Sequence, residues 1–384
     1  MKAIILAANR GICKRTGTQM IMQPICGKPV LQYVTEACQE TGISDITIIV
    51  PNESEDIRKA LPGLNYVTQH KSHTGHAVEP AAGHIKPDDD VLIIAGNMPL
   101  VTPDFIREFI TYYTSNKHNS PIAPPNLPGI YLSKGSILFA RKATHNFKPE
   151  TDTTPFICIS THAQLADATR QMQNRINLRH MENGVRIQDP ATTYIDSTVQ
   201  IAPGAIIYPG SIIEGTCTIA EGAIIGPYTH MRDSTVGQLS AIRHSVLTSA
   251  EVGTQTEVGP FAYLRPGAKI GNKCRVGNFV EIKNATLANG AKAAHLAYIG
   301  DADIGQRVNI GCGVITANYD GKNKHRTTVE DGAFIGSNAN LVAPVTIGEN
   351  AFVAAGSTIT KELPAHSLGI ARARQENKEN WVKR

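Results

Sequence analysis

Isoleucine occupies positions 195, 201, 207, 213, 219 and 225, six in a row at intervals of six. The interval returns at Val252, Val258, Leu264, Ile270, Val276 and Ile282, then at Ile304 and Ile310. It returns again at Val329, Ile335, Leu341, Ile347, Val353 and Ile359. Six fits neither the 3.6 period of a helix nor the alternation of a plain strand. It fits a short strand and a turn, repeated, with one apolar side chain per unit pointing inward. The residues between are small or turn-forming, as in Ala202-Pro203-Gly204 and Tyr208-Pro209-Gly210. Such units bury their inner faces only against neighbouring coils, which is the pattern of a parallel β-helix. From Ile195 to Thr360 the repeat accounts for about nine coils, or on the order of 45 Å at ~4.8 Å per coil. Its phase slips between Ile225 and Val236 and between Ile242 and Val252. It breaks between Thr316 and Thr328, where a binding loop is expected.

The N-terminal part reads differently. Residues 2–8, 45–50 and 90–95 read as strands, the first a buried one, and Val30 to Thr41 as a helix, which predicts an α/β unit with a mostly parallel sheet. Ligands of such sheets bind at the carboxyl ends of the strands. Residues 118–155, with Pro121, Pro124, Pro125 and Pro128, read as irregular connection, and Gln164 to Met181 as a helix. The domains expected are 1–160, a linker helix 161–183, the β-helix 184–362 and a basic tail 363–384.

Seven cysteines without a Cys-x-x-Cys pair point to reduced thiols and a cytoplasmic chain. A net charge of +4, scattered along the chain, gives no reason to expect nucleic acid, and no 18-residue apolar run suggests membrane insertion. His70, His73 and His76 are spaced three apart but have no Cys, Asp or Glu among them, so no metal set is expected there.

Leu6-Ala7-Ala8, Gly27-Lys28-Pro29, Thr74-Gly75-His76-Ala77 and Gly96-x-x-Pro99-Leu100 resemble the fingerprints of sugar-phosphate nucleotidylyltransferases. They are most similar to the uridylyltransferase half of bacterial bifunctional N-acetylglucosamine-1-phosphate uridylyltransferase/glucosamine-1-phosphate acetyltransferases. The family's phosphate loop runs Leu-Ala-Ala-Gly-x-Gly-Thr-Arg-Met; here Asn9, Ile12 and Cys13 replace Gly, Thr and Arg. The family's Pro-Lys pair falls on Gln19-Met20, its metal-binding Asp on Asn97, and its second metal ligand on Ser160. About 60 residues lie between Leu100 and the linker, fewer than the family has. The resemblance therefore implies a shortened nucleotidylyltransferase fold, and these departures predict that its uridylyl transfer is lost.

From Gly259 onward the resemblance is to the acetyltransferase half and is nearly continuous, through His295-Leu-Ala-Tyr298, Val308-Asn-Ile-Gly311 and Ala317-Asn-Tyr-Asp-Gly-Lys-Asn-Lys324. It implies a left-handed β-helix. The residues suit acetyl transfer to an amine. An ammonium has no lone pair, so the reaction needs a base, and imidazole is mostly neutral at pH 7, which fits His295. A sugar phosphate needs cations, which Arg265, Lys283 and Lys324 supply. By resemblance Tyr298 and Asn309 hold the sugar, and Asn318 and the backbone at Tyr319 lie near the amine and the acetyl group. Ser337, Ala355 and Arg372 correspond to contacts with acetyl-CoA, and the tail would reach the coenzyme bound by a neighbouring subunit. Asp301 and Asp303 read as surface charges.

The expected activity is thus acetylation of glucosamine 1-phosphate by acetyl-CoA, in a homotrimer, to supply N-acetylglucosamine 1-phosphate for cell-wall precursors. One alternative is a two-activity enzyme that also makes UDP-N-acetylglucosamine from UTP with Mg²⁺. Another is a β-helix subunit that binds without catalysing.

Overall fold

The structure is a computed structural model. It describes every residue except 9–18, 53, 71–76, 117–119, 125–128, 139–146, 148, 150, 151, 153–155, 380, 383 and 384. The chain divides into two compact units, Met1–Arg175 and Ile176–Arg384.

In the first unit a five-stranded sheet has the spatial order Asn65–Thr68, Asp45–Val50, Lys2–Leu6, Asp90–Ala95, Ile130–Lys134. The first four strands are parallel and the last is antiparallel. Ile4, Ile5, Ile48, Ile93 and Ile94 are wholly buried, as the continuous apolar runs require of strands covered on both faces. Helix Val30–Gln39 follows Pro29, and helix Pro103–Ser115 starts behind Thr102, whose hydroxyl accepts from the Phe105 amide at 3.3 Å. Gly96 lets the central strands and the first helix meet: a Cβ there would lie 2.8 Å from Leu31 and 3.1 Å from the Leu6 carbonyl oxygen.

One expectation is corrected here. The segment 118–155 is not all irregular, because Ile130–Lys134 is the antiparallel edge strand, and Phe147 packs against Phe105 and Phe109. Flanking prolines and a run of only five residues hide that strand from a pattern-based reading.

Helix His162–Glu182 spans the division between the units. The second unit then winds through three parallel sheets of 11, 10 and 9 strands, visited in that order in each coil. Ile195, Ile207, Ile213, Ile219 and Ile225 are buried in its interior, and Ile201 nearly so. The phase slips have a common cause: the interior sequence runs Met231 to Val236, Ile242 to Leu247 and Leu247 to Val252 in steps of five. In each shortened step one residue, Asp233, His244 or Ser249, takes a left-handed backbone with φ between 44° and 48°. Met231 and Leu247, absent from the six-residue series, fill the interior at these places. The long interruption lies between strands Ile315–Ala317 and Thr327–Val329. Among the described residues no helix is long and apolar enough to cross a membrane.

Candidate active site

Strands Tyr263–Leu264, Glu281–Lys283, Tyr298–Gly300 and Ile315–Ala317 are successive rungs of the 10-strand face. Their register stacks Tyr263, Glu281, Tyr298 and Ile315 in one column, and Lys283 beside Gly300. Residues far apart in sequence are thereby set one coil apart, ~4.8 Å. Arg265 closes the first of these strands, and its guanidinium pairs with the Glu281 carboxylate at 2.7 Å. That pairing holds the arginine charged, raising its pKa further. Glu281 was not singled out from the sequence; its place beside Arg265 follows from a coil spacing that the residue pattern leaves open.

Lys283 ends the next strand with the Lys324 ammonium beside it, and this contact lowers the pKa of Lys283. The Arg265 charge acts in the same direction and Asp301 opposes both. Three cations from three separate stretches therefore share one edge. An anion placed among them would relieve their repulsion.

Asp301 corrects an expectation. It is 7% exposed, not a surface charge, and it accepts from the side-chain amides of Asn284 (2.6 Å) and Asn318. Burial alone would push its pKa up, but these hydrogen bonds, with the charges of Lys283 and Lys324, outweigh that and leave it lowered. Asp303 is half exposed and pairs with Arg326, whose guanidinium also donates to the Asn284 and Ala302 carbonyls.

The interrupting loop hangs from these two acids. Asn318 is buried against Asp301, and its carbonyl accepts from the His325 amide at 2.8 Å. Asp320 takes the amides of Lys322 and Asn323 and the His325 imidazole, contacts that hold its carboxyl far below the usual range. Tyr319 and Lys324 form an isolated antiparallel bridge, and the Tyr319 hydroxyl donates to the Gly321 carbonyl. Tyr298 lies over Gly300: a Cβ there would fall 2.5 Å from the tyrosine hydroxyl oxygen.

His295 ends strand Lys292–His295 on the neighbouring 11-strand face, exposed, with Nδ1 2.7 Å from Asn278 Oδ1. Asn309 opens the next strand of that face, paired with Lys292. Ser337 and Ala355 follow the strands Phe334–Ile335 and Phe352–Val353, both exposed, and Arg372 lies exposed in the tail. The structure thus gathers Arg265, Lys283, Tyr298, Asn318, Tyr319 and Lys324 on one face and its outer edge. Along the other edge of that face follow His295, Ser337 and Ala355. Among the described residues no hydrogen bond joins His295 to the cations.

The first unit presents a different picture. Asn97, 2% exposed at the carboxyl end of strand Asp90–Ala95, donates its amide to the Ile159 carbonyl at 2.9 Å. Its Oδ1 is buried without a hydrogen-bond partner. A hard cation could use that oxygen. Asn97 would thus offer a divalent ion one neutral oxygen, and among the described residues no group of three His, Cys, Asp or Glu accompanies it. Met20 is wholly buried, and Ser160 is tied to Gln164 at 2.9 Å. Asn9, Ile12, Cys13, His73 and His76 lie outside the described residues.

Residues 3–182 match the MobA-like NTP transferase domain, and residues 326–361 match the bacterial transferase hexapeptide of six repeats, in keeping with a left-handed β-helix. The bifunctional protein GlmU of Geobacillus sp. (strain WCH70) is 37% identical over 454 aligned positions, covering all of this chain and 97% of the relative. The aligned span is 70 positions longer than the chain. The bifunctional protein GlmU of Alkaliphilus metalliredigens is 36% identical, covering 100% of this chain and 98% of the relative. A nucleotidyl transferase from Methanothermobacter thermautotroptrophicus shares 18% identity over 35% of this chain and 71% of its own, at a TM-score of 0.30, too slight a likeness to carry weight. Matched from end to end at this identity, the chain belongs to the GlmU family of transferases.

Proposed function

We propose that the β-helix unit, residues 184–362, transfers the acetyl group of acetyl-CoA to the amine of glucosamine 1-phosphate. The observation that carries this is the convergence of Arg265, Lys283 and Lys324 on one edge, beside a loop tied down by Asp301. Three cations suit a phosphate, with the arginine fork able to bind two of its oxygens. Tyr298 and Asn309 would meet the sugar, Asn318 and the Tyr319 backbone the amine and the acetyl group, and Ser337, Ala355 and Arg372 the coenzyme.

In this reading the neutral amine attacks the thioester carbonyl. The carbon–nitrogen bond forms and the carbon–sulfur bond breaks. His295 takes the proton from nitrogen and passes it to the departing thiolate, so amide and free coenzyme A are the products. Thiol release from acetyl-CoA, dependent on glucosamine 1-phosphate, tests the reading; no release above the solvent rate would overturn it.

A homotrimer is part of the proposal. Tyr228, Phe261, Phe279 and Leu296, each more than half exposed, line the corner between the 11- and 10-strand faces, and Phe261 and Phe279 stack at 5.6 Å. An apolar ladder of this length favours burial against other copies of the chain. Light scattering at micromolar concentration should give three chains.

A second reading covers the first unit. The relatives that match the whole chain carry the name bifunctional, and the nucleotidyltransferase match runs the length of that unit. This supports the two-activity alternative better than the loss of uridylyl transfer expected from the sequence, which rests on Asn97, Met20 and Cys13. Pyrophosphate release from UTP and N-acetylglucosamine 1-phosphate, with and without Mg²⁺, decides between them.

A further inference from the structure

We infer that Asn278 is a positioning residue for His295, fixing which ring nitrogen is free to accept a proton. The inference rests on the proposed role of His295 as the base. Asn278 and His295 are direct partners in the parallel ladder of strands Arg275–Asn278 and Lys292–His295. The backbone repeats the pairing, since the Leu296 amide donates to the Asn278 carbonyl at 3.0 Å. Gly277 makes the close approach possible, because a Cβ there would lie 1.8 Å from the Ala294 carbonyl oxygen. On the side chains, Oδ1 of Asn278 faces Nδ1 of His295 at 2.7 Å.

An amide oxygen is only an acceptor, so it requires a proton on Nδ1 and leaves the lone pair on Nε2. A base with the other tautomer would present an N–H to the ammonium it must deprotonate. The titratable side chains of these strands are Arg275 and Lys292, paired with each other in register, with Glu257 opposite Arg275 on the preceding strand; Cys312 lies two residues beyond Ile310, the partner of Ala293. Among the described residues Asn278 is the one hydrogen-bond partner of the His295 ring.

The test uses the full chain and two kinds of readout. Nitrogen-15 NMR of the imidazoles, with His295→Gln for assignment, should show His295 as the Nδ1–H tautomer, and Asn278→Ala should lose that preference. In acetyl transfer, Asn278→Ala should lower kcat about tenfold, less than the ~10²–10⁴ of removing the base itself, with KM for both substrates within twofold. Asn278→Asp should keep the tautomer and move the acidic limb of the kcat–pH profile up by about one unit, because a carboxylate stabilises the imidazolium. A purely structural role would leave that limb in place. The inference fails if His295 carries its proton on Nε2 in the unmodified chain, or if the Asn278→Asp profile coincides with the original. If His295→Ala retains full turnover while the NMR preference is seen, the positioning stands and the assignment of the base falls.

Discussion

The outer edge of the β-helix and the carboxyl end of strand Asp90–Ala95 in the N-terminal sheet are built from opposite materials. At the β-helix edge the ionic side chains interlock: Arg265 on Glu281, Lys283 beside Lys324, Asp301 holding two amides. In the first unit the described residues singled out from the sequence are neutral, with Asn97 bound to a backbone carbonyl and Met20 packed in the core. Scaffold and charge are separable. Buried isoleucines and helix caps hold a sheet together whatever residues stand at its rim. A fold therefore says less about chemistry than the groups at its edge do.

The sharpest way to break this comparison is His295→Ala, which should cut acetyl transfer by about 10²–10⁴ and leave melting unchanged; turnover within twofold of the original would place the base elsewhere. Arg265→Ala should come next, raising KM for the sugar phosphate about tenfold, the equivalent of one lost charged hydrogen bond. It also strands the Glu281 carboxylate. Asp301→Ala frees Asn318 and removes the anion that tempers two lysines. It should lower kcat/KM several-fold and cost about 1–2 kcal/mol of stability, since the buried Asn318 amide loses its acceptor while the exposed Asn284 amide can turn to water.

A smaller effect tests the second unit away from its site. His180 is 5% exposed, and burial, then the Arg179 charge, lower its pKa. Its folded-state value lies below the ~6.5 of an unfolded chain, so acid favours unfolding. Stability should be full above about pH 6.5 and decline as pH falls through the folded value. The lowered carboxyls, Asp301 and Asp303 among them, add their own loss only below about pH 4. His180→Asn should flatten the melting-temperature slope between pH 7.5 and 5.5; an unchanged slope would count against the assignment. Smallest of all, Asn97→Asp should leave acetyl transfer unaltered, because that residue belongs to the other unit. Any change in uridylyl transfer would then report on the strand end alone.

How much of this was legible in the sequence depended on range. The six-residue period locates the interior of the β-helix because each unit repeats the same local demand. The five-residue steps escape it, since a single residue at positive φ, such as Asp233, shortens the turn without announcing itself. Arg265, Lys283, Lys324 and His295 stand out by residue type and family spacing. Glu281, Asn278 and the burial of Asp301 do not, because each is defined by a partner 16 or 17 residues away, one coil over. Edge strand Ile130–Lys134 was missed for a related reason: its partner is Asp90–Ala95, and nothing local marks it.

The central claim is that the cation edge and His295 serve acetyl transfer to an amino-sugar phosphate. Its most direct test is thiol release from acetyl-CoA by the unmodified chain, with glucosamine 1-phosphate compared against glucosamine. The account predicts saturable release with the phosphorylated sugar and a far higher KM without the phosphate. Equal rates with both sugars, or no release with either, would contradict it.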